Sequence, residues 1–154
     1  MDTICSYLEY DHSRCDALFV QVVAYVVGRQ WPHAERRFKD FEAAFTRHLT
    51  MEENIVFPAF EQVIGTAAGP THALRLEHGQ LRGLLARLTE AVEGNHVVDF
   101  FDHADAFRIV LQQHSLKEEG ILYPMADRML LEKRSELVAS MAAISIADAF
   151  ACTP

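Results

Sequence analysis

Apolar residues recur at steps of three or four along most of the chain, which is the spacing of one face of an α-helix. In the segment 33–64, this face is formed by Phe38, Phe41, Phe45, His48, Glu52, Ile55 and Ala59. In the segment 97–131, it is formed by Phe100, Phe107, Leu111, His114, Glu118, Ile121 and Met125. Each of these two apolar faces therefore carries one histidine and one glutamate among the residues that we expect to be buried.

Clusters of glycine and proline divide the chain into long segments. The breaks lie at residues 28–32, 65–70 and 94–95. The segments between them are longer than ordinary β-strands and lack internal turn clusters, which favours helices. The pattern predicts five helices, over residues 2–27, 33–64, 71–92, 97–131 and 132–150.

Helix ends and interruptions can also be predicted. Thr71 is suited to cap the N-terminus of the third helix. Pro58 and Pro124 lie late in the second and fourth helices, where each removes one backbone hydrogen bond. We therefore expect a kink or the start of fraying at both prolines.

Amphipathic helices joined by short connections favour an all-α fold, an up-down-up-down four-helix bundle. We assign residues 1–131 to this bundle. Residues 132–154 form an extra C-terminal helix, which either packs on the bundle or makes a homodimer contact. The pattern does not distinguish these two roles.

Composition narrows the class of protein. Half of the 154 residues are apolar, which excludes an intrinsically disordered chain. The net charge is −8 and there is no basic run, so we expect neither nucleic acid nor a membrane as a partner. The cysteines, Cys5, Cys15 and Cys152, are scattered and indicate no disulfide framework. No basic leader precedes an apolar stretch, and no apolar stretch is long enough to span a membrane. We therefore expect a cytoplasmic location.

An internal repeat carries the candidate chemistry. Residues 48–58 and 114–124 both follow the pattern H-x-x-x-E-E-x-I-[V/L]-[F/Y]-P, at an offset of 66 residues. Asp11 and His12 recur at the same offset as Glu77 and His78. The chain is therefore interpreted as a duplicated pair of helices, each pair giving one single histidine and one His-x-x-x-Glu motif.

Residues four apart lie on one helix face, so an imidazole and a carboxylate at this spacing can reach one metal ion or two adjacent ones. A carboxylate in a bundle core is costly unless it is paired or binds a metal. Four imidazoles and two carboxylates in one core indicate a dinuclear iron or manganese site. No cysteine lies in the repeat, which argues against a structural zinc site with thiolate ligands.

This pattern resembles the hemerythrin-like (HHE cation-binding) domain, and the resemblance covers roughly residues 5–130. It implies a four-helix bundle with a non-haem di-iron centre, whose two irons share an oxo, hydroxo or water bridge. Manganese and zinc are alternative occupants. The metal ligands that the resemblance implies are His12, His48, Glu52, His78, His114 and Glu118, with Glu52 and Glu118 as bridging carboxylates.

The chain departs from the oxygen-carrying invertebrate hemerythrins. Those proteins have a second histidine four residues before the one matched by His78, where this chain has Leu74. Glu119 follows Glu118 and is the rival candidate for the second bridge. With four imidazoles, each iron keeps one open position, which weakens an oxygen-storage role. The set is more similar to bacterial hemerythrin-like proteins that are associated with nitric oxide, peroxide, iron-cluster repair or oxygen sensing.

The function expected from this resemblance is binding of dioxygen, nitric oxide or peroxide at open iron positions, for sensing, storage or detoxification. Whether the protein is an enzyme stays open; any turnover would be redox chemistry at iron. Three alternatives keep the same ligands. They are an iron donor or iron–sulfur cluster repair protein, an interaction module whose surface depends on the metal, and a bundle that holds zinc or manganese.

Residues around the expected ligands also receive predictions. Glu53 and Glu119 are expected to be solvated or to lie outside the ligand set. Cys15 is expected to be a small core residue. The hydroxyl of Tyr123 is expected at the rim of the bundle, with a hydrogen-bonding or radical role as the lesser alternative. Glu9 and Arg75 either orient the imidazoles of His12 and His78 or are exposed.

Overall fold

The computed structural model describes the backbone of residues 2–151 and their side chains except those of residues 148, 150 and 151. Within this range the chain is helical and has no β-strand. The elements are α1 (Ile4–Val27), α2 (Trp31–Met51), π1 (Glu52–Val56), α3 (Phe57–Ile64), α4 (Pro70–Glu93), α5 (Val97–Lys117), π2 (Glu118–Leu122), α6 (Tyr123–Met129), α7 (Arg134–Ala142) and α8 (Ile146–Ala151). The π elements are five-residue turns of wider helix.

Four long helices form the bundle: α1, the run α2–π1–α3, α4, and the run α5–π2–α6. The helix α1 packs along α2, and α4 packs along α5. The two pairs meet where α2 contacts α4 and where α1 contacts α6. The predicted all-α four-helix bundle is confirmed. Among residues 2–151, no helix combines the length and apolar character needed to cross a membrane.

The turns that join each pair are built alike, which supports the duplication. Arg29 and Asn95, 66 residues apart, both adopt the left-handed conformation with φ of 56°. Backbone N–H groups at equivalent positions donate to equivalent carbonyls: Gly28 to Ala24, and Gly94 to Glu90. The repeat detected in the sequence is therefore also a repeat of backbone conformation.

The third helix begins earlier than predicted. Its N-cap is Gly69 and Pro70 is its first residue, a position where proline loses no helical hydrogen bond. The prediction of Thr71 as the cap is wrong, because Thr71 lies inside the helix and is buried. Its hydroxyl donates instead to a carboxylate oxygen of Glu61, at 3.0 Å.

Neither proline frays its helix, and in both cases the helix widens just before the proline. The N–H of Phe57 donates to the carbonyl of Glu52, and the N–H of Tyr123 donates to that of Glu118, five residues back in each case. Proline lacks an N–H and its ring crowds the carbonyl four residues earlier, so a wider turn relieves both problems. The α-helix then continues to Ile64 and to Met129.

The C-terminal segment is two short helices where one was predicted. The guanidinium of Arg47 donates to the carbonyls of Ile144, at 2.7 Å, and Met141, at 3.0 Å. These two bonds connect the end of α7 and the turn that follows it to α2. The helix α7 contacts π1 and α1, and α8 contacts α2. Residues 152–154, with Cys152, lie outside the described range.

Two apolar clusters fill the bundle, one on each side of a polar layer. The first cluster contains Cys15, Phe19, Leu49, Leu81, Leu85 and Phe107 among others. The second contains Leu8, Phe57, Phe60, Leu74 and Leu122 among others. His12 lies between members of the two clusters on α1, and His78 does so on α4. The buried histidines are thus enclosed above and below by apolar side chains.

Candidate metal centre

All six residues that were predicted as ligands lie in this polar layer, and all six are buried. His12 is 7% exposed, and His48, Glu52, His78, His114 and Glu118 are at most 1% exposed. Their positions follow from the helical register, because each His-x-x-x-Glu motif places both side chains on the core face. The π turn begins at the glutamate of each motif.

The Nε2 atoms of the imidazoles point toward the carboxylates. Nε2 of His48 lies 3.2 Å from Oε1 of Glu52, and Nε2 of His114 lies 2.7 Å from Oε1 of Glu118. Across the bundle, Nε2 of His12 lies 3.2 Å from Oε2 of Glu118. Nε2 of His78 lies 3.5 Å from Oε1 of Glu52. The four helices therefore direct nitrogen and oxygen donors to one small volume.

These donors fall into two adjacent groups, each able to hold one metal ion. One group is Glu52, His78, His114 and Glu118, and the other is His12, His48 and Glu118. Within each group, the candidate ligand atoms lie within 4.8 Å of one another. Glu118 belongs to both groups, as a bridging carboxylate must. Glu119, the rival candidate, has 38% of its side chain exposed and contacts the outer nitrogen of His12.

Three polar atoms of this layer make no hydrogen bond of good geometry among the described residues, although imidazole nitrogens and carboxylate oxygens lie close to one another there. They are Nε2 of His48, Oε1 of Glu52 and Oε1 of Glu118. A buried polar atom without a partner costs free energy, and a cation between these atoms would satisfy all three. A mixed set of imidazoles and carboxylates suits iron, manganese or zinc. The residues present therefore fit a metal centre.

A second ring of carboxylates holds the outer nitrogen of every imidazole. The Nδ1–carboxylate distances are 2.7 Å for His12 with Glu119, 2.8 Å for His48 with Asp11, 2.7 Å for His78 with Glu53 and 2.9 Å for His114 with Glu77. Such contacts orient a ligand imidazole and make its inner nitrogen a stronger donor. Each ring is fixed with Nε2 facing the centre.

Sequence reasoning found only part of this outer ring. Glu53 and Glu119 contact outer imidazole nitrogens and belong to neither donor group, whereas Asp11 and Glu77 were not assigned a role. The sequence did contain a signal for these acids, because each one is adjacent to a proposed ligand. Asp11 and Glu77 are 66 residues apart, as are Glu53 and Glu119, so the outer acids are duplicated together with the ligands.

The prediction that Glu9 and Arg75 orient imidazoles is wrong. A carboxylate oxygen of Glu9 lies 3.1 Å from the sulfur of Cys5, which donates to it. The guanidinium of Arg75 donates to Glu61 at 2.7 Å and lies over the ring of Phe57. Both residues have the right helical spacing, but their side chains turn toward other partners.

The rim position expected for the Tyr123 hydroxyl is also wrong, because the hydroxyl lies in the centre and the residue is fully buried, as the hydrogen-bonding alternative requires. The hydroxyl oxygen lies 2.8 Å from Oε2 of Glu52 and 2.8 Å from Oε2 of Glu118. It also lies 3.3 Å from Nε2 of His12. Burial, together with the charges of Glu118 and Glu52, raises the pKa of Tyr123, so the hydroxyl keeps its proton.

Charge balance in the metal-free centre rests on the histidines. Burial alone would lower the pKa of His48, but Glu52 and Asp11 outweigh it and raise that pKa to about 10. Burial is likewise outweighed at His78, where Glu118, Glu52 and Glu53 raise the pKa to about 11. Protons therefore occupy the imidazoles of His48 and His78 in the metal-free protein, and metal binding at these residues has to displace them.

A family model described as the hemerythrin HHE cation-binding domain matches the chain over residues 3–126 and again over residues 69–144. The chain belongs to this family. The second match begins 66 residues after the first, which is the offset of the internal repeat. No curated protein and no solved structure was found that matches the chain significantly. Cation binding by the hemerythrin HHE domain agrees with the two groups of donors described above.

Proposed function

We propose that the chain is a non-haem di-iron protein that binds dioxygen, nitric oxide or peroxide at open metal positions, for sensing, storage or detoxification. The observation that carries this proposal is the pair of adjacent donor groups that share Glu118. Two metal ions held side by side are the arrangement that a diatomic ligand or peroxide needs in order to contact both.

The assignment of ligands follows the two groups. His12 and His48 would bind one iron, and His78 and His114 would bind the other. Glu52 and Glu118 would lie between the two ions, since their Oε1 atoms are otherwise unpartnered. The iron pair, when bound, supplies the electrons and the open positions for a small ligand.

Leu74 supports open positions on both ions. It stands four residues before His78, where a fifth imidazole would be expected in an oxygen carrier, and it is buried in the second apolar cluster. No donor atom is available from that position. The two ions therefore receive equal numbers of imidazoles from the chain.

The protein's own contribution is a dry, rigid and polar-lined cavity. The two apolar clusters exclude bulk water from above and below the polar layer. The outer carboxylates hold the imidazoles in place. The hydroxyl of Tyr123 holds a proton within the centre, where it can donate a hydrogen bond to a polar ligand.

The test is elemental analysis of protein produced with iron available, combined with visible spectra recorded with and without dioxygen and nitric oxide. We expect two irons per chain and the absorption of a bridged ferric pair. A reversible spectral change would support ligand binding or sensing, whereas irreversible oxidation would favour redox turnover or iron donation. One metal per chain, or zinc alone, would contradict the proposal.

A further inference from the structure

A cavity of about 520 Å³ opens between α1 and α5, beside the polar layer. Residues from both helices line it, and they include His12, Asp16, Phe19, Arg108 and Leu116, with Glu119 from π2. The cavity is far larger than a water molecule needs and reaches one of the six proposed ligands.

His12 lines the cavity and is also one of the six proposed ligands. This residue is the most exposed of the six, at 7%. Its Nδ1 atom contacts Glu119, which also lines the cavity, and its Nε2 atom contacts Glu118 in the centre. The imidazole of His12 therefore connects the lining of the cavity with the proposed metal position.

On the other side of the bundle, the repeat places a different pair of side chains at the equivalent positions. Glu53 is the equivalent of Glu119, and Arg82 is the equivalent of Asp16. The guanidinium of Arg82 donates to both oxygens of Glu53, at 2.5 and 3.0 Å. Asp16 carries a carboxylate and cannot donate a hydrogen bond to Glu119 as Arg82 does to Glu53. Among the described residues, the side chain of Glu119 is hydrogen-bonded to His12 alone.

We propose that metal ions enter and leave the centre through this α1–α5 cavity, past Asp16 and Glu119. This inference rests on the proposed metal site. The two carboxylates outnumber the one guanidinium of Arg108 in the cavity, so a divalent cation is attracted there. Glu119 is held only by His12, so its side chain can turn outward, bind the arriving ion and pass it to the imidazole.

The test uses cobalt(II) alone as the probe, because its absorption reports binding without oxidation. The metal-free full-length protein is mixed rapidly with cobalt(II), and release is then followed with a chelator. In Asp16→Arg, the arginine should pair with Glu119 as Arg82 pairs with Glu53. We expect uptake and release to be at least about tenfold slower, with the same final amount of cobalt.

Two matched variants separate the route from general charge effects. Arg82→Asp should not slow uptake, because it removes the guanidinium that pairs with Glu53 on the opposite side and leaves the α1–α5 cavity unchanged. Asp99→Arg makes the same change in net charge at the first turn of α5, away from the cavity, and should alter the rate less than twofold. Uptake by Asp16→Arg at the wild-type rate, or equal slowing by Asp16→Arg and Asp99→Arg, would overturn the proposal.

Circular dichroism and the final amount of cobalt show whether Asp16→Arg has folded. If it has not, Asp16→Asn removes the charge without added bulk and should slow uptake by about threefold; an unchanged rate would again overturn the proposal. Failure of this proposal is distinct from failure of the proposed function. A protein that takes two cobalt ions at unchanged rates keeps its metal site and loses only the route.

Discussion

The α2–α4 side of the bundle and the α1–α5 side carry matched carboxylates but differ in the charged side chains that pair with them. On the first side, Glu53 contacts both His78 and the guanidinium of Arg82. On the second side, the matched Glu119 contacts His12 and borders a cavity. The carboxylate that orients the imidazole is present on both sides, whereas the cation behind it is not.

The other two outer acids are likewise matched by the repeat but pair with cations that are not. Asp11 pairs with Arg14 from its own helix, and Glu77 pairs with Lys117 from the neighbouring helix. The cations stand at unrelated positions, although the acids are related by the offset of 66. The comparison teaches that the residues facing the centre are constrained by the chemistry of the donor groups. The cationic side chains that pair with the outer acids need only balance a negative charge, and a cation at any of several positions can do this.

The largest effect that we expect comes from removing an imidazole. His78→Ala and the matched His12→Ala each delete one nitrogen donor from a different donor group. Each variant should fall from two metal ions per chain to one or fewer, because a vacated position leaves two buried carboxylates to hold an ion with a single imidazole. Elemental analysis of the metal content of each variant measures this loss. Two ions per chain in either variant would show that the deleted imidazole is not a ligand.

A second difference between the halves is Tyr123, whose equivalent is Phe57. Tyr123→Phe removes the hydroxyl that contacts Glu52 and Glu118, and leaves two buried carboxylates with one partner fewer. We expect the metal-free protein to lose about 1.5–3 kcal/mol of unfolding free energy, as for a hydrogen bond to a charged group. Urea unfolding of the metal-free protein measures this loss.

Phe57→Tyr is the matched control for that change. The ring of Phe57 stacks on His78, with 5.4 Å between ring centroids. An added hydroxyl would have to find its own partner in the centre, so this variant should not become more stable than the wild type. If Tyr123→Phe is as stable as the wild type, the phenol is packing only and its hydrogen bonds contribute nothing.

A smaller effect concerns acid stability. Burial opposes ionisation of Glu53, but His78 and Arg82 outweigh it and lower the pKa from 4.5 to about 2. Since the folded state binds this proton less readily than the unfolded state, the stabilisation is complete above about pH 4.5 and is lost as the pH falls toward 2. Glu53→Gln should therefore be less stable at pH 6 and show a flatter decline in acid.

This pH dependence is measured by urea unfolding of the metal-free protein between pH 6 and about pH 3. Arg82→Gln serves as the control, because the guanidinium is one of the two groups that lower the pKa of Glu53. It should remove part of the same dependence. Identical pH profiles for the wild type and Glu53→Gln would rule out this source of acid sensitivity.

The smallest effect is expected at Cys15, which matches Leu81 in the other half. Both are buried in the first apolar cluster, so the cysteine is a packing residue, as predicted. Burial, followed by the charge of Asp11, raises the pKa of the Cys15 thiol to about 12. In a Cys152→Ser background, iodoacetamide at pH 8 should leave Cys15 unmodified until urea is added. Rapid alkylation in the folded protein, detected by mass spectrometry, would contradict this packing role.

The sequence predicted what depends on helical register. The repeat and the 3.6-residue period bring His48, Glu52, His114 and Glu118 to one face each, and the structure places them together. The same reasoning could not foresee the position of Tyr123, because the π turn before it changes the direction in which the ring points. The prediction assumed a straight α-helix, because the spacing of apolar residues does not reveal a wider turn.

The sequence pattern could not predict long-range hydrogen bonds either. Arg47 donates to the carbonyl of Ile144, in the turn between α7 and α8, from 97 residues away in the chain. Nothing near residue 144 indicates a break, since the segment contains neither glycine nor proline. The start of α4 was missed for a simpler reason, because Pro70 tolerates a first helical position and was taken as part of the loop.

The two π turns lie at equivalent positions of the two halves, with Glu52 and Glu118 accepting the bond from residue i+5. A turn closed in this way holds one residue more than an α-helical turn, so the residues that follow it are displaced by one helical position. Because both halves carry the same wider turn, the irregularity of one helix pair is repeated in the other. The unit that recurs along the chain is therefore a complete piece of backbone geometry and not a ligand motif alone.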